Sequence, residues 1–378
     1  MTPSGTRAPG DVWVPAAELD GGNDDCGSGL LLSLTGSLRR IDVGQVLLLH
    51  TREPSVLADL PAWARLAGHE LLSVVDGSEA PAGRGTGPWR ISILRGERPG
   101  SAAAAQAAEG LSFTAGAMAP VGTRLWLYSN FHCNLACDYC CAGSSPQADP
   151  RLLAPDVAAA AVDEFVAMGG RELLITGGEP FLHPELGAIV TDAAARVPVV
   201  ILTNAMVFGR GARRATLEAM DRGRVALQVS LDSAGPRIHD RQRGAGSHAR
   251  ALDGIALARE LGFRVRVAAT LYEEDLSSAP HLHAVLENLG IPETDRIIRP
   301  VADEGFADGG VHISLDTVEP EPTLTTEGIW WHPVGVTNEH LRVSAEPLPL
   351  APAFETIRDV LAVQAAGSDE GRSVFRCT

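Results

Sequence analysis

The chain has 378 residues, 45% of them hydrophobic, and a formal net charge of −16 at pH 7. That length holds two or three domains, and that apolar fraction supports a sizeable core and argues against wholesale disorder. The negative balance argues against a nucleic-acid backbone as main partner, and no run of about 18 apolar residues offers a membrane span. The first residues (MTPSGTRAPGDVW) lack an apolar signal region, and four of the six cysteines fall in one short segment. Neither feature suits a secreted disulfide framework, so a reducing cytoplasm is expected, with no membrane attachment.

Residues 11–97 read as a small α/β domain. A short strand is expected at 12–14. Leu30, Leu31, Leu34 and Leu38 recur at helical spacing and predict a helix over 28–40. The apolar run 45–50 reads as a buried strand. Asp59 is the expected cap of a second helix, with Pro61 in its first turn. Strands near 70–75 and 88–94 complete the order βαβαββ. Residues 98–120, rich in Ala, Gly and Pro, read as a linker.

From residue 121 strand and helix alternate. Strands are expected at 123–128, 172–176, 197–203, 225–231, 264–270 and 296–301. Helices fall between them, among them 155–168 and 247–261, the latter with Ser247 as N-cap and Gly262 at its end. This alternation predicts a parallel sheet with helices outside, in a 121–301 core with too few βα units for an eight-stranded barrel. Residues 302–378 read as a C-terminal extension. It is Pro-rich and irregular to about residue 350, with a last helix over 354–364.

Cys133, Cys137 and Cys140 form CxxxCxxC just after the first strand of that core. Thiolates are soft ligands that select zinc, copper(I) or iron–sulfur clusters. Three of them on one loop leave a fourth metal position open, whereas structural zinc wants a second arm of ligands. None follows, though zinc or a disulfide remains an alternative. Cys141 reads as a spectator. Cys377 reads as part of a terminal tail, with a redox thiol or cluster ligand as the alternative.

Further polar groups stand at the ends of the next strands, where parallel sheets bind ligands. Thr176-Gly177-Gly178-Glu179-Pro180 ends the second strand. Its glycines allow close backbone approach, and its carboxylate can accept hydrogen bonds from an ammonium. Thr203-Asn204-Ala205 ends the third, and Ser230-Leu231-Asp232 the fourth. Arg243 follows in the stretch His239-Asp240-Arg241-Gln242-Arg243-Gly244. Trp330-Trp331-His332-Pro333 reads as core packing over the barrel mouth, with a substrate-pocket wall as the alternative.

With Tyr139 just before the third cysteine and GGEP one βα unit later, residues 121–301 resemble the radical S-adenosylmethionine (SAM) superfamily. The resemblance implies a partial (β/α)6 barrel and a [4Fe–4S] cluster held by Cys133, Cys137 and Cys140. It implies that SAM chelates the fourth iron, with Glu179 on its amino group and Gly177, Gly178 and Asn204 beside it. Ser230 and Asp232 would face its ribose or carboxylate, and Arg243 would fork its carboxylate. It further implies reductive cleavage of SAM to a 5′-deoxyadenosyl radical, which takes hydrogen from a small-molecule or peptide substrate. A reducing donor such as flavodoxin or ferredoxin would supply the electron. No second cysteine cluster exists for an auxiliary SPASM-type domain.

The N-terminal text Cys26-Gly27-Ser28-Gly29-Leu30 and Pro61-Ala62-Trp63-Ala64, within the order βαβαββ, resembles the TusA-like sulfur-carrier family. That family carries a persulfide on a cysteine at the start of its first helix, where the helix dipole favours thiolate. Cys26 stands at that position, though both prolines of the family's CPxP are absent. The resemblance implies sulfur-related chemistry and a sulfur donor or acceptor protein. A non-enzymatic iron–sulfur or sulfur relay is the competing expectation.

Overall fold

The computed structural model describes residues 14–24, 30–76, 89–96 and 122–367. Cys26, the 98–120 linker and Cys377 lie outside these. The chain divides into two units, Met1–Gly100 and Ser101–Thr378.

The first unit runs β1 (Ala17–Asp20), α1 (Leu31–Arg39), β2 (Val46–Thr51), α2 (Val56–Ala67), β3 (Glu70–Asp76) and β4 (Trp89–Leu94). Its sheet has the order β1-β2-β4-β3, with β1 parallel to β2 and β4 antiparallel to both neighbours. Leu30, Leu31, Leu34 and Leu38 are all buried, as their spacing predicts. The first strand falls later than expected. Of 12–14 only Val14 is described, and it is irregular and 86% exposed. Ala17–Asp20 instead takes the open edge of β2, in register with Leu47 to His50. Tertiary pairing outweighs the β-propensity of one valine. Helix α2 also starts earlier, so Asp59 is not its cap but lies buried in its first turn. That added turn buries Val56 in line with Leu60, Trp63 and Ala67, and leaves Pro61 inside the helix on an exposed position.

The second unit begins β5 (Arg124–Tyr128), α3 (Pro155–Ala167), β6 (Glu172–Thr176), α4 (Leu186–Ala194), β7 (Val199–Thr203) and α5 (Gly211–Ala219). It continues β8 (Val225–Ser230), α6 (Pro236–Arg243), α7 (Ser247–Glu260), β9 (Arg264–Leu271), α8 (Ala279–Asn288) and β10 (Arg296–Pro300). These six strands pair in parallel in chain order. Runs such as Val-Val-Ile-Leu-Thr in β7 are nearly fully buried, as strands covered on both faces must be. Ser247 does not cap α7. The cap position is Gly246, at φ 74°, and Ser247 is the first helical residue. The acceptor is Asp240, whose carboxylate takes the N–H groups of Gly246 (2.6 Å) and His248 (2.8 Å) and the Ser247 hydroxyl (3.1 Å).

The chain after β10 is more ordered than its composition predicts. β11 (Thr323–Thr325) pairs parallel to β5, and β12 (Gly328–Trp330) and β13 (Arg342–Ser344) extend the sheet antiparallel. The sheet therefore has nine strands, ordered β10-β9-β8-β7-β6-β5-β11-β12-β13. The last helix, α9 (Leu350–Gly367), starts earlier than expected because Glu164 of α3 accepts the Leu350 N–H at 2.7 Å. Trp126, Leu174, Val200 and Ala226 come from the first four parallel strands. They share one core with Trp331, Val334 and Ile357, so the extension packs against the same strands that carry the site.

Candidate active site

The loop after β5 is tied to the turn after β6 by backbone and amide bonds. Asn130 Nδ2 donates to His132 O (2.8 Å) and Glu179 O (3.1 Å), Gly178 N–H to Asn130 O (2.9 Å), and Glu179 N–H to His132 O (3.0 Å). A Cβ on Gly177 would lie 2.3 Å from Asn130 O, and one on Gly178 would lie 2.3 Å from His132 O. These glycines thus admit the cysteine loop itself, besides lining the cleft in front of it.

Cys133, Cys137 and Cys140 all line that cleft, a space of about 980 Å³ with its open mouth included. Cys133 and Cys137 are buried and Cys140 half-buried. The Leu135 N–H points at Cys133 Sγ (3.4 Å), the Ser144 N–H at Cys140 Sγ (3.4 Å), and Asn204 Nδ2 reaches Cys133 Sγ at 3.9 Å. Burial, with the Glu179 charge added, pushes the Cys133 thiol up to about 12. Burial takes Cys137 to about 11 although Arg243 pulls the other way. A metal bound here must displace those protons. Among the described residues no three His, Cys, Asp or Glu side chains gather around a single metal ion. Thiolates that each take a separate iron need not converge in that way.

Glu179 is fully buried beneath the cleft wall. Its carboxylate accepts from Phe181 N–H (3.1 Å), Thr203 Oγ1 (2.8 Å) and Asn204 N–H (2.8 Å). Burial pushes its carboxyl up to about 7, against the pull of those donors. Its immediate work is to hold the turn after β7. Gly177, Gly178, Thr203 and Asn204 form the cleft surface there. Ala205, next in that turn, keeps a left-handed backbone (φ 61°), and Gly254 of α7 packs directly against it.

Ser230 lines the cleft at the end of β8, and Asp232 sits fully buried behind it. Arg243 forks Asp232, Nε to Oδ2 at 2.5 Å and Nη2 to Oδ1 at 3.2 Å. Asp232 also accepts the Tyr139 hydroxyl (2.7 Å) and the Thr270 N–H (3.0 Å), while its own N–H donates to His239 Nδ1 (3.1 Å). Burial raises the Asp232 carboxyl, but the charge of Arg243 and the hydrogen bonds prevail and hold it below the usual range. The cysteine loop is thereby linked through Tyr139 to the fourth parallel strand. Tyr139 and Asp232 are each visible in the sequence, but the hydrogen bond between them is not.

Trp126, Leu202, Pro333 and Val334 add apolar surface to the cleft, and Thr270 and Arg299 stand among them. Trp330 and Trp331 pack into the core, and the Tyr128 hydroxyl holds Pro333 O at 2.7 Å. Burial, helped by the charge of Arg299, pushes His332 down to about 3, and its Nδ1 accepts the Val334 N–H. A Cβ on Gly305 would lie 2.2 Å from Cys140 O, so the extension also abuts the cysteine loop.

Residues 128–277, from the end of β5 to just before α8, match the radical SAM superfamily. The chain carries a radical SAM domain. It is similar to the AdoMet-dependent heme synthase of Methanosarcina barkeri, 31% identical over 166 residues, which cover 42% of this chain and 45% of that protein. It is also similar to the subtilosin biosynthesis protein AlbA of Bacillus subtilis, 30% identical over 162 residues, 42% of this chain and 35% of the relative. The chain thus spans under half the length of these curated relatives. Among solved structures, Streptococcus suis SuiB bound to S-adenosylmethionine aligns over 68% of this chain and 51% of its own, at 12% identity and a TM-score of 0.43.

Radical SAM proteins bind a [4Fe–4S] cluster and SAM. The residues present fit that pair. Three soft donors share one cleft, two of them backed by amide N–H groups, and a glycine-lined wall stands beside them.

Proposed function

We propose that the chain is a radical SAM enzyme. Its cluster binds Cys133, Cys137 and Cys140, and its SAM lies along Gly177, Gly178, Asn204 and Ser230. The observation that carries this reading is that all three thiols open into the same cleft as the Gly177–Gly178 turn, at the carboxyl ends of parallel strands. Bound there, the pair supplies one-electron cleavage of SAM and hydrogen abstraction from substrate.

The chain's own residues position and shield. Glu179, to which this reading gives the SAM ammonium, sets the Asn204 turn through its three hydrogen bonds. Asp232 fixes Arg243, so that any nitrogen the guanidinium turns to a SAM carboxylate is already oriented. The core around Trp331 and Val334 closes the cleft's inner wall against water. The substrate is a small molecule or a peptide, and a flavodoxin or ferredoxin is the electron source.

The N-terminal unit is a TusA-like module in which Cys26 carries sulfur. Its support is the element order βαβαββ, with Cys26 a few residues ahead of α1 in sequence. The module deals with a sulfur donor or acceptor protein in the cytoplasm. Loss of turnover in Cys26→Ala with intact SAM cleavage is the expected result, and unchanged turnover removes Cys26 from the reaction.

The decisive experiment is anaerobic reconstitution with iron and sulfide, then dithionite and SAM, with 5′-deoxyadenosine as readout. Its formation, and its loss in Cys137→Ala, is expected. Iron content unchanged in all three single Cys→Ala variants sinks the cluster assignment.

A further inference from the structure

We propose that Asp232 is a positioning residue for the cluster: through Tyr139 it holds the turn that carries Cys137 and Cys140, and it makes no contact with SAM. This role rests on the radical SAM reading and is not one that the family resemblance implies.

The Asp232 carboxylate has no acceptor left for a ligand. Oδ2 takes the Tyr139 hydroxyl at 2.7 Å and Arg243 Nε at 2.5 Å, while Oδ1 takes Arg243 Nη2 at 3.2 Å and the Thr270 N–H at 3.0 Å. Those four donors fill the roughly four lone-pair sites of a carboxylate. The side chain is fully buried and does not line the cleft, although Ser230, at the end of β8, does. A SAM hydroxyl or ammonium would reach Asp232 only by displacing one of these bonds.

The same bonds bear on the cysteine loop. Tyr139 lies between Cys137 and Cys140, and the Cys140 N–H donates to Cys137 O at 3.2 Å, so these residues form one turn. That turn rests on α6 and on the chain leaving β8. The Asp138 N–H donates to Gln242 O at 3.1 Å, and the Tyr139 hydroxyl reaches Asp232. The Arg243 guanidinium lies 5.3 Å from the centre of the Tyr139 ring, and Tyr272 packs edge-to-face with that ring at 6.4 Å. A hydrogen bond to a buried carboxylate is of the strong, charge-assisted kind, and losing it frees the turn that presents two of the three thiols. Asp232 also balances Arg243, which lines the cleft with Cys137. Removing the carboxylate charge leaves that guanidinium unpaired, and an extra positive charge favours the more negative, reduced cluster.

The test compares the full chain, reconstituted with iron and sulfide, as wild type, Tyr139→Phe and Asp232→Asn. It reads the rate at which bathophenanthroline strips iron, the midpoint potential by electron paramagnetic resonance, and SAM affinity by equilibrium dialysis on chains matched for iron content. Iron should leave both variants at least about tenfold faster than wild type, the scale of one charge-assisted hydrogen bond. The potential should rise in Asp232→Asn and hold in Tyr139→Phe, a split that a merely structural lesion would not produce. SAM affinity should stay within about threefold in both. Tyr139→Phe removes a single oxygen, so it carries the test by itself where circular dichroism shows that Asp232→Asn does not fold. Iron release at the wild-type rate in Tyr139→Phe, or an unchanged potential in Asp232→Asn, overturns the proposal. So does an about tenfold loss of SAM affinity in Asp232→Asn with iron release unchanged, which would assign the carboxylate to SAM. A wild-type chain that holds iron and sulfide but yields no 5′-deoxyadenosine strikes the proposed function and leaves the iron comparison readable. One that takes up neither iron nor sulfide overturns both.

Discussion

Arg243 grips Asp232 with two nitrogens, at 2.5 and 3.2 Å, in a pair whose side chains are 10% and 0% exposed. Breaking a buried pair from one side leaves an uncompensated charge, which costs about 3–5 kcal/mol. Arg243→Met should therefore destabilise the protein by that amount in urea titrations, and Arg243→Lys, which keeps the charge but not the fork, by less. The folded-state carboxyl of Asp232 lies below its ordinary value. Its stabilising contribution is thus present above that ordinary value and lost as pH falls through the folded value. An Arg243→Met protein as stable as the wild type would contradict this account.

Glu179 carries the opposite sign. Burial takes its carboxyl from an ordinary 4.5 to about 7. Between those values the folded protein holds a proton that the unfolded chain has released. Stability should then fall as pH rises through that window and level off above it, by about 3 kcal/mol in all. The difference in unfolding free energy between wild type and Glu179→Gln, measured without SAM at pH 4.5 and pH 7.5, should change by that amount. A difference that stays constant across the window would show that the group titrates normally.

The six parallel strands were legible because each is an apolar run closed by turn residues, and their observed limits differ from the expected ones by two residues at most. β11, β12 and β13 were not, since three residues each give no period to read. The Thr325-Thr326-Glu327-Gly328 turn was the available signal for that hairpin. The cysteine loop and the Gly177–Gly178 turn announced themselves by motif. Tyr139 and Asp232 stand 93 positions apart, and no local pattern reports their hydrogen bond. Arg299 was hidden for a different reason. Every residue of β10 is half-buried, so alternation does not say which side chains enter the cleft.

Gly254 supports the turn that bears Asn204. A Cβ there would fall 2.3 Å from Ala205 O and 2.5 Å from Ala205 Cβ, with rigid backbone on one side. Gly254→Ala should destabilise by about 1–3 kcal/mol through overpacking. Ala205→Gly relieves a left-handed alanine, worth about 1 kcal/mol, but frees the unfolded chain by nearly as much. It should leave stability within about 0.5 kcal/mol in thermal melts, since the two effects oppose. A Gly254→Ala protein that melts with the wild type would show that α7 yields where the packing says it cannot.

Arg266 is a buried charge with little compensation. It is 1% exposed, its Nε and both Nη atoms have no hydrogen-bond partner among the described residues, and Glu172 Oε1 is 4.0 Å away. Glu172 already receives Arg124 Nε at 2.7 Å, so it does not depend on Arg266 for a partner. Burial lowers the guanidinium's affinity for its proton, the direction expected of a cation with too little compensation. A hydrophobic side chain of similar length removes that desolvation penalty, and Glu172 keeps Arg124 as its partner, so the loss of about 3–5 kcal/mol that follows when a buried charge is stranded does not apply. Arg266→Met should therefore match or exceed the wild type in urea unfolding. Glu172→Gln, which strips Arg124 of its closest carboxylate, should lose about 3–5 kcal/mol. If Arg266→Met lost as much as Glu172→Gln, the two would be a single buried pair, and the assignment of Glu172 to Arg124 would fail.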